Sequence, residues 1–250
     1  MQRSLISSLM EQRSCTDCVL KPMCRPAIVR PDEMELLAGS VLPRRQIPAG
    51  TAVYRQGDQV RALFVSQGGV LKTETLGVDG QAQVIGFHFP GELIGVEAFD
   101  SGRFRASALA LEPASVCEIP IAALERVASQ DPSFQRQLMR AAGSCLAHQQ
   151  DHIELLSLRQ ADERIALFLV GMLERTEAAT RAEQTLIHLP MNRSDIASYL
   201  CLNNETVSRS FSRLRDDGVL GVNGRHVRVL DRGRLARIAK VSDMEQPRLA

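Results

Sequence analysis

From Ser133 to Arg159 the sequence offers no stop to a helix. Pro132 precedes the run, and Gly143 is its one weak point, costing about 1 kcal/mol without ending it. Counted from Pro132 it would reach roughly 40 Å at about 1.5 Å per residue. Such a run divides the 250-residue chain, whose length already suggests two units with a connection between them. Met139, Ala142, Leu146, Gln149, Ile153 and Leu156 recur along it at alternating steps of three and four. That is the seam of a two-stranded coiled coil, with Gln149 as a polar interruption able to fix register or limit affinity. The other reading is a helix lying on its own β-rich neighbour.

The texture differs on either side. From about residue 41 to 120 short alternating runs are punctuated by Gly and Pro: Thr51–Tyr54 before Gly57-Asp58, Leu63–Val65 before Gly68-Gly69, Gln83–His88 before Pro90-Gly91. Strands at that spacing predict an antiparallel sandwich, barrel or roll. After the long helix, about Asp162 to Arg175 predicts a second, buried helix with Ile165, Leu167, Phe168, Leu169 and Met172 on a broad apolar face. A charged loop over Thr176–Gln184 and a short strand at Leu186–Leu189 follow.

Residues 192–217 divide into two short helices. Asn192 caps the first, with Asp195 at its third position favouring the positive end of the dipole. The turn is Cys201-Leu202-Asn203, and the second helix runs from about Asn204 to Asp217, burying Val207, Phe211 and Leu214. So short a connection makes a helix-turn-helix, and Asn223-Gly224 with the alternating strand after it makes the motif winged. Glu205, Ser208 and Arg209 share one face near the start of the second helix. Arg can bond guanine O6 and N7, Glu can accept from the cytosine amine, and Ser can serve either, so one G·C pair could be read from both strands. Arg213 and Arg215 would suit phosphate. The bland alternative for Glu205 and Arg209 is an intrahelical ion pair worth about 0.5 kcal/mol or less. Residues 191–240 carry ten basic and five acidic side chains, although the whole chain nets only +1; charge alone fits a phosphate-facing module and a solvated Arg-rich tail equally well.

Aromatic residues are scarce at 4%, with no Trp, which disfavours a sugar- or nucleotide-stacking site. No run of about 18 apolar residues crosses a bilayer, and the first residues lack the apolar core of a secretory signal, so a reducing, cytoplasmic setting is expected. In that setting Cys15, Cys18 and Cys24, crowded into C-T-D-C-V-L-K-P-M-C, suggest metal binding or redox chemistry rather than disulfides. Pro22 and Pro26 would stiffen that loop, and Lys21 and Arg25 would favour thiolates. Cys145 and Cys201 read as small buried hydrophobes. The five histidines, His88, His148, His152, His188 and His226, show no metal spacing or nucleophile motif; each reads as structural or solvated, and an enzyme has little support.

A Gly-punctuated β-roll, a long helix and a winged helix-turn-helix in this order resemble the cyclic AMP receptor protein superfamily. G-F-H-F-P-G-E-L-I-G (86–95), V-C-E-I-P (116–120) and N-E-T-V-S-R (204–209) are similar to its oxygen-sensing branch, the fumarate–nitrate reduction regulator (FNR) family. The resemblance covers nearly the whole chain. It implies an α+β chain: a cysteine-rich arm over 1–30, a cyclic-nucleotide-binding-like β-roll over 31–130, a dimerisation helix over 131–160 and a winged helix-turn-helix over 161–250. It also implies a [4Fe–4S] cluster on Cys15, Cys18, Cys24 and Cys117, four thiolates being the usual ligand set. Residue types alone fit a zinc site of four thiolates equally well.

The function so implied is an oxygen-responsive transcription regulator, mainly an activator under anaerobic conditions. It would bind palindromic DNA with TTGAT-like half-sites as a homodimer and contact RNA polymerase through loops near Gly68–Gly69 and Glu112–Val116. The alternative in the same superfamily is a cyclic-nucleotide-responsive regulator, because Gly91-Glu92-Leu93 and Arg105 partly resemble a nucleotide pocket; Ala106 stands where a hydroxyl is usual. Two further departures are Cys201, where the family's turn usually has Gly, and Gln149, where relatives carry an acid that opposes pairing.

Overall fold

The computed structural model describes residues 45–130, 132–158, 160–180 and 185–241. The expected arm with Cys15, Cys18 and Cys24 lies outside the described residues. Two compact units divide the chain, one up to Leu146 and one from Ala147.

Among the described residues the first unit has eight strands: β1 (Arg45–Ile47), β2 (Ala52–Tyr54), β3 (Ala62–Gly68), β4 (Leu71–Leu76), β5 (Ala82–His88), β6 (Leu93–Ile94), β7 (Ser107–Ala110) and β8 (Ala114–Pro120). They form two antiparallel sheets in the orders β1-β8-β3-β6 and β2-β7-β4-β5. Ile47, Tyr54, Phe64, Leu71, Ile94, Ala108 and Val116, drawn from both sheets, enclose one core. Tyr54 stacks on Phe104 with ring centroids 3.7 Å apart, filling that space with aromatic surface. β3 is buried on both faces. Its Phe64 points into the core between the sheets, while Leu63 and Val65 join Ile119, Leu124, Phe134 and Ala141 on the outer face. Leu124 belongs to α1 (Ile121–Gln130); Phe134 and Ala141 belong to α2 (Pro132–Ser157). The sequence reading of 31–130 as β-roll leaves out α1, whose one-turn repeat of apolar side chains is too short to separate from a strand.

The turn at Gly68-Gly69 needs glycine. Gly69 sits at φ +71°, and a Cβ there would meet the Pro113 carbonyl oxygen at 2.6 Å. The two loops singled out from the sequence, at 68–69 and 112–116, are therefore neighbours.

In the second unit α3 (Ala161–Thr180) packs against α5 (Asn204–Asp216) and α6 (Arg232–Ile238), and α4 (Arg193–Tyr199) precedes α5. The expected end of α3 at Arg175 is extended, since Glu177, Ala178 and Ala179 are good helix formers and continue it to Thr180. Strands β9 (Leu186–His188), β10 (Leu220–Asn223) and β11 (His226–Val229) form an antiparallel sheet in the order β10-β11-β9. The hairpin is offset by one residue from the expected Asn223-Gly224 turn: Asn223 pairs with His226, leaving Gly224-Arg225 as the loop. Gly224 at φ +59° supplies the positive φ that the first loop position of such a turn demands.

Candidate nucleic-acid interface

Two caps fix the helix-turn-helix. The Asn192 side chain accepts from the Asp195 amide at 2.8 Å, and Asp195 Oδ2 accepts from the Asn192 amide at 3.1 Å, a reciprocal box at the start of α4. Asn203 Oδ1 accepts from the Thr206 amide at 2.7 Å and starts α5. Between them the backbone reverses at Cys201, which adopts φ +52° without being glycine, and the Leu202 amide closes on the Ala197 carbonyl at 2.9 Å. Cys201 is exposed. This corrects the expectation of a buried thiol there: the turn points it outward.

Val207, Ser210, Phe211 and Leu214 seat α5 on the unit. The opposite face carries Glu205, Ser208 and Arg209, all exposed as the spacing predicts. Arg209 Nη2 lies 2.8 Å from Glu205 Oε1, with side chains 65% and 74% exposed. The ion pair weighed from sequence thus forms, but so exposed a pair is weak, and its groups can exchange one another for base edges at little cost. Arg213 pairs with Asp162 on α3, and Arg215 with Asp216 at 2.9 Å. Arg193, at the start of α4, places its guanidinium 3.4 Å from the Phe211 ring centroid; burial lowers its pKa from the usual arginine value. That cation–π contact ties α4 to α5, and sequence spacing alone gave no sign of it.

The end of α4 is held by two side chains that sequence reasoning did not single out for this role. His152 Nε2 donates to the Tyr199 carbonyl at 2.8 Å. Arg164 Nη1 donates to the Leu200 carbonyl and Nε to the Leu158 carbonyl, each at 2.9 Å. Carbonyls at a helix C-terminus lack intrahelical partners and carry partial negative charge, so donors are favoured there.

Cys117 lies on β8 opposite Val65, half-buried and packed against the outer apolar cluster of the first unit. Its alternation with Val116, which faces the inter-sheet core, sends the thiol to the outer face of the sheet. Its three proposed co-ligands lie outside the described residues. Among the described residues no group of three or more His, Cys, Asp or Glu side chains gathers as a metal site. Cys145 is half-buried and donates to the Leu93 carbonyl at 3.7 Å; burial, with Glu92 and Glu97, pushes its thiol up to about 11.

Along α2, Met139, Leu146 and Ile153 are 69%, 62% and 68% exposed; they recur at seven-residue steps along one face, unlike apolar side chains scattered singly. Ala142 and Leu156 are half-buried and Gln149 is exposed. For the cyclic-nucleotide alternative, Arg105 is 63% exposed and paired with Asp100, and Glu92 Oε2 accepts from the Phe89 amide at 3.3 Å. No helix among the described residues is long and apolar enough to cross a membrane.

A β-roll joined by a long helix to a winged helix-turn-helix defines a DNA-binding transcription regulator rather than an enzyme. Residues 163–238 match the Crp-like helix-turn-helix domain and residues 44–131 the cyclic nucleotide-binding domain. The chain is 39% identical to the transcriptional activator protein anr of Pseudomonas aeruginosa, over 91% of this chain and 93% of that one. It is 33% identical to the fumarate and nitrate reduction regulatory protein of Escherichia coli, over 90% of each. Among solved structures, FixK2 from Bradyrhizobium japonicum superposes with a TM-score of 0.72 at 32% identity, over 80% of this chain and 98% of that one. A CRP-family regulator from Thermus thermophilus, TM-score 0.65 at 20% identity over 79% of this chain and 97% of that one, shares the fold. The chain belongs to the fumarate and nitrate reduction regulator family.

Proposed function

We propose that the chain is an oxygen-responsive regulator, mainly an activator under anaerobic conditions, that binds palindromic DNA as a homodimer. The observation that carries the DNA part is the outward face of α5. Glu205, Ser208 and Arg209 stand free of the packing that buries Val207, Phe211 and Leu214. Arg209 donates to guanine and Glu205 accepts from cytosine, reading the lone G·C pair of a TTGAT-like half-site. Arg213 and Arg215 turn toward phosphate, exchanging for it the half-buried Asp162 and the exposed Asp216.

Dimerisation is supported by the exposed Met139, Leu146 and Ile153, which repeat every seven residues along α2. A second copy covers them, with Ala142, Gln149 and Leu156 completing the seam. Two reading heads then engage two half-sites, and the second contact gains from the tether of the first.

Cys15, Cys18, Cys24 and Cys117 hold a [4Fe–4S] cluster, which supplies oxygen-sensitive redox chemistry when bound. The outward placement of Cys117 on β8 fits that role. Cys117 and the three N-terminal cysteines share the cluster as ligands, so loss of the cluster removes that covalent link. The exposed Arg105 and the aromatic filling of the roll speak against the cyclic-nucleotide reading. The neighbouring loops at Gly68-Gly69 and 112–116 form one surface for RNA polymerase.

Anaerobically purified protein should contain four iron and four sulfide per chain, with visible absorbance that bleaches in air. Replacing Cys117 with Ala should abolish that content. Colourless protein retaining zinc alone overturns the sensing assignment, and leaves base reading by α5 to be judged on DNA binding.

A further inference from the structure

Two histidines on the DNA-binding unit face each other across adjacent strands. His188 on β9 is the register partner of His226 on β11. The flanking hydrogen bonds fix which kind of pair this is. The Leu189 amide donates to the Arg225 carbonyl at 2.8 Å and the Val229 amide to the Thr185 carbonyl at 2.7 Å. Residues 189/225 and 185/229 are thus hydrogen-bonded positions, and by alternation 188/226 is a non-hydrogen-bonded one, where side chains approach most closely. Both imidazoles lie on the exposed face, since Ile187, Val227 and Val229 take the buried one.

The ring centroids are 5.0 Å apart with the planes tilted by 45°. A metal ion about 2.0–2.1 Å from one nitrogen of each ring stands about 3 Å from each ring centre, and a tetrahedral angle then sets the centres about 5 Å apart. The observed spacing needs no backbone movement to meet that condition. Asn223, paired with His226 from the other side, lies in the same row. Arg228, two residues along the same face, opposes a cation and limits affinity. We propose that His188 and His226 form a two-imidazole site for a divalent d-block cation of the Zn2+, Ni2+ or Cu2+ type, with water in the remaining positions. Imidazole ligands select these ions over Mg2+ and Ca2+. The bound ion joins β9 to the wing strand β11 and adds positive charge beside the Gly224-Arg225 loop. The site is independent of the thiols at 15, 18, 24 and 117.

The test is titration calorimetry of the full chain with Ni2+ alone, comparing wild type with His188→Gln and His226→Gln. Chelation makes the second bond intramolecular, so either substitution should weaken this site by about 100-fold, while His148→Gln leaves it unchanged. The wild-type unfolding temperature should rise with Ni2+, and neither variant's should. Each protein in chelator serves as its own reference, so that only the nickel-dependent shift is read. As a check on wild type alone, Ni2+ below one equivalent should broaden the imidazole NMR signals of His188 and His226 together, leaving those of His88 and His148 sharp. Isotherms unchanged in both variants, each variant keeping half the binding, or equal broadening of every imidazole would overturn the site.

Discussion

His152 and Tyr199 lie ring on ring, their centroids 3.9 Å apart and their planes 3° from parallel, while His152 Nε2 donates to the Tyr199 carbonyl. One side chain of α2 thus holds both the ring and the backbone of the last residue of α4. His152→Ala should lower stability by about 1–2 kcal/mol, the sum of a stacked pair and a hydrogen bond. Burial lowers the His152 pKa from the usual histidine value of 6.5, against the hydrogen bond to Tyr199. As pH falls below that usual value the unfolded chain takes up the proton first, so this histidine favours unfolding in acid. His152→Gln should therefore flatten the fall of the unfolding temperature just below neutral pH. An unchanged slope, measured by circular dichroism, would reject the assignment.

Glu97 carries the opposite sign. Its Oε1 is buried with no hydrogen-bond partner, and burial raises its pKa from 4.5, against a hydrogen bond from its own backbone and the charge of Arg105. A raised carboxyl contributes stability below the unfolded pKa that is lost as pH rises through the folded one. Glu97→Gln should raise the unfolding temperature at neutral pH, and the advantage should vanish near pH 4. Equal gain at both pH values would mean that desolvated charge is not the cause.

Arg209→Ala should cost about 1–3 kcal/mol in DNA binding and relax choice at one base pair. The exposed Glu205 partner loses little by the change. Fluorescence anisotropy on half-site variants would read this. Uniform weakening on every sequence would make Arg209 a phosphate contact instead.

Ile153→Glu should shift the protein to monomer in sedimentation, since it places a charge on an apolar seam whose Ile153 is now 68% exposed. Gln149 is neutral and exposed, so cluster-free wild type should still dimerise at micromolar concentration. Gln149→Glu would set like charges across the seam and weaken pairing by about tenfold or more. A cleanly monomeric wild type would remove the basis of that contrast.

The elements set by local pattern were legible in the sequence: the 3.5-residue stripe of α2, the Asn192 cap of α4, and Glu205, Ser208 and Arg209 on one face of α5, whereas the return bond from the Asn192 amide to Asp195 came only with the structure. Local chemistry sets all of these. What escaped depends on tertiary meetings between distant positions. His152 and Arg164 reach the end of α4 from other helices, and Arg193 needs Phe211, eighteen residues on, to become a cation–π contact. The His188–His226 pair was invisible for the same reason, because a cross-strand register links residues 38 apart. The wing turn slipped by one residue because Asn-Gly and Gly-Arg both supply a positive φ through the same glycine.

Cys201 gives the last test. Its φ of +52° places an L side chain in the left-handed region, at a cost of about 1 kcal/mol that glycine would not bear. The strain is held by the Leu202–Ala197 hydrogen bond below it and by Arg164 on the neighbouring Leu200 carbonyl. Because the side chain is exposed, its removal leaves no cavity. Cys201→Gly should therefore stabilise the DNA-binding unit by about 0.5–1 kcal/mol, the freer unfolded chain taking back part of the gain. Cys201→Val, branched at Cβ, should destabilise it by more than about 1 kcal/mol. Urea titration followed by circular dichroism would order the three proteins, and a Gly variant no more stable than wild type would show that the turn bears no strain at Cys201.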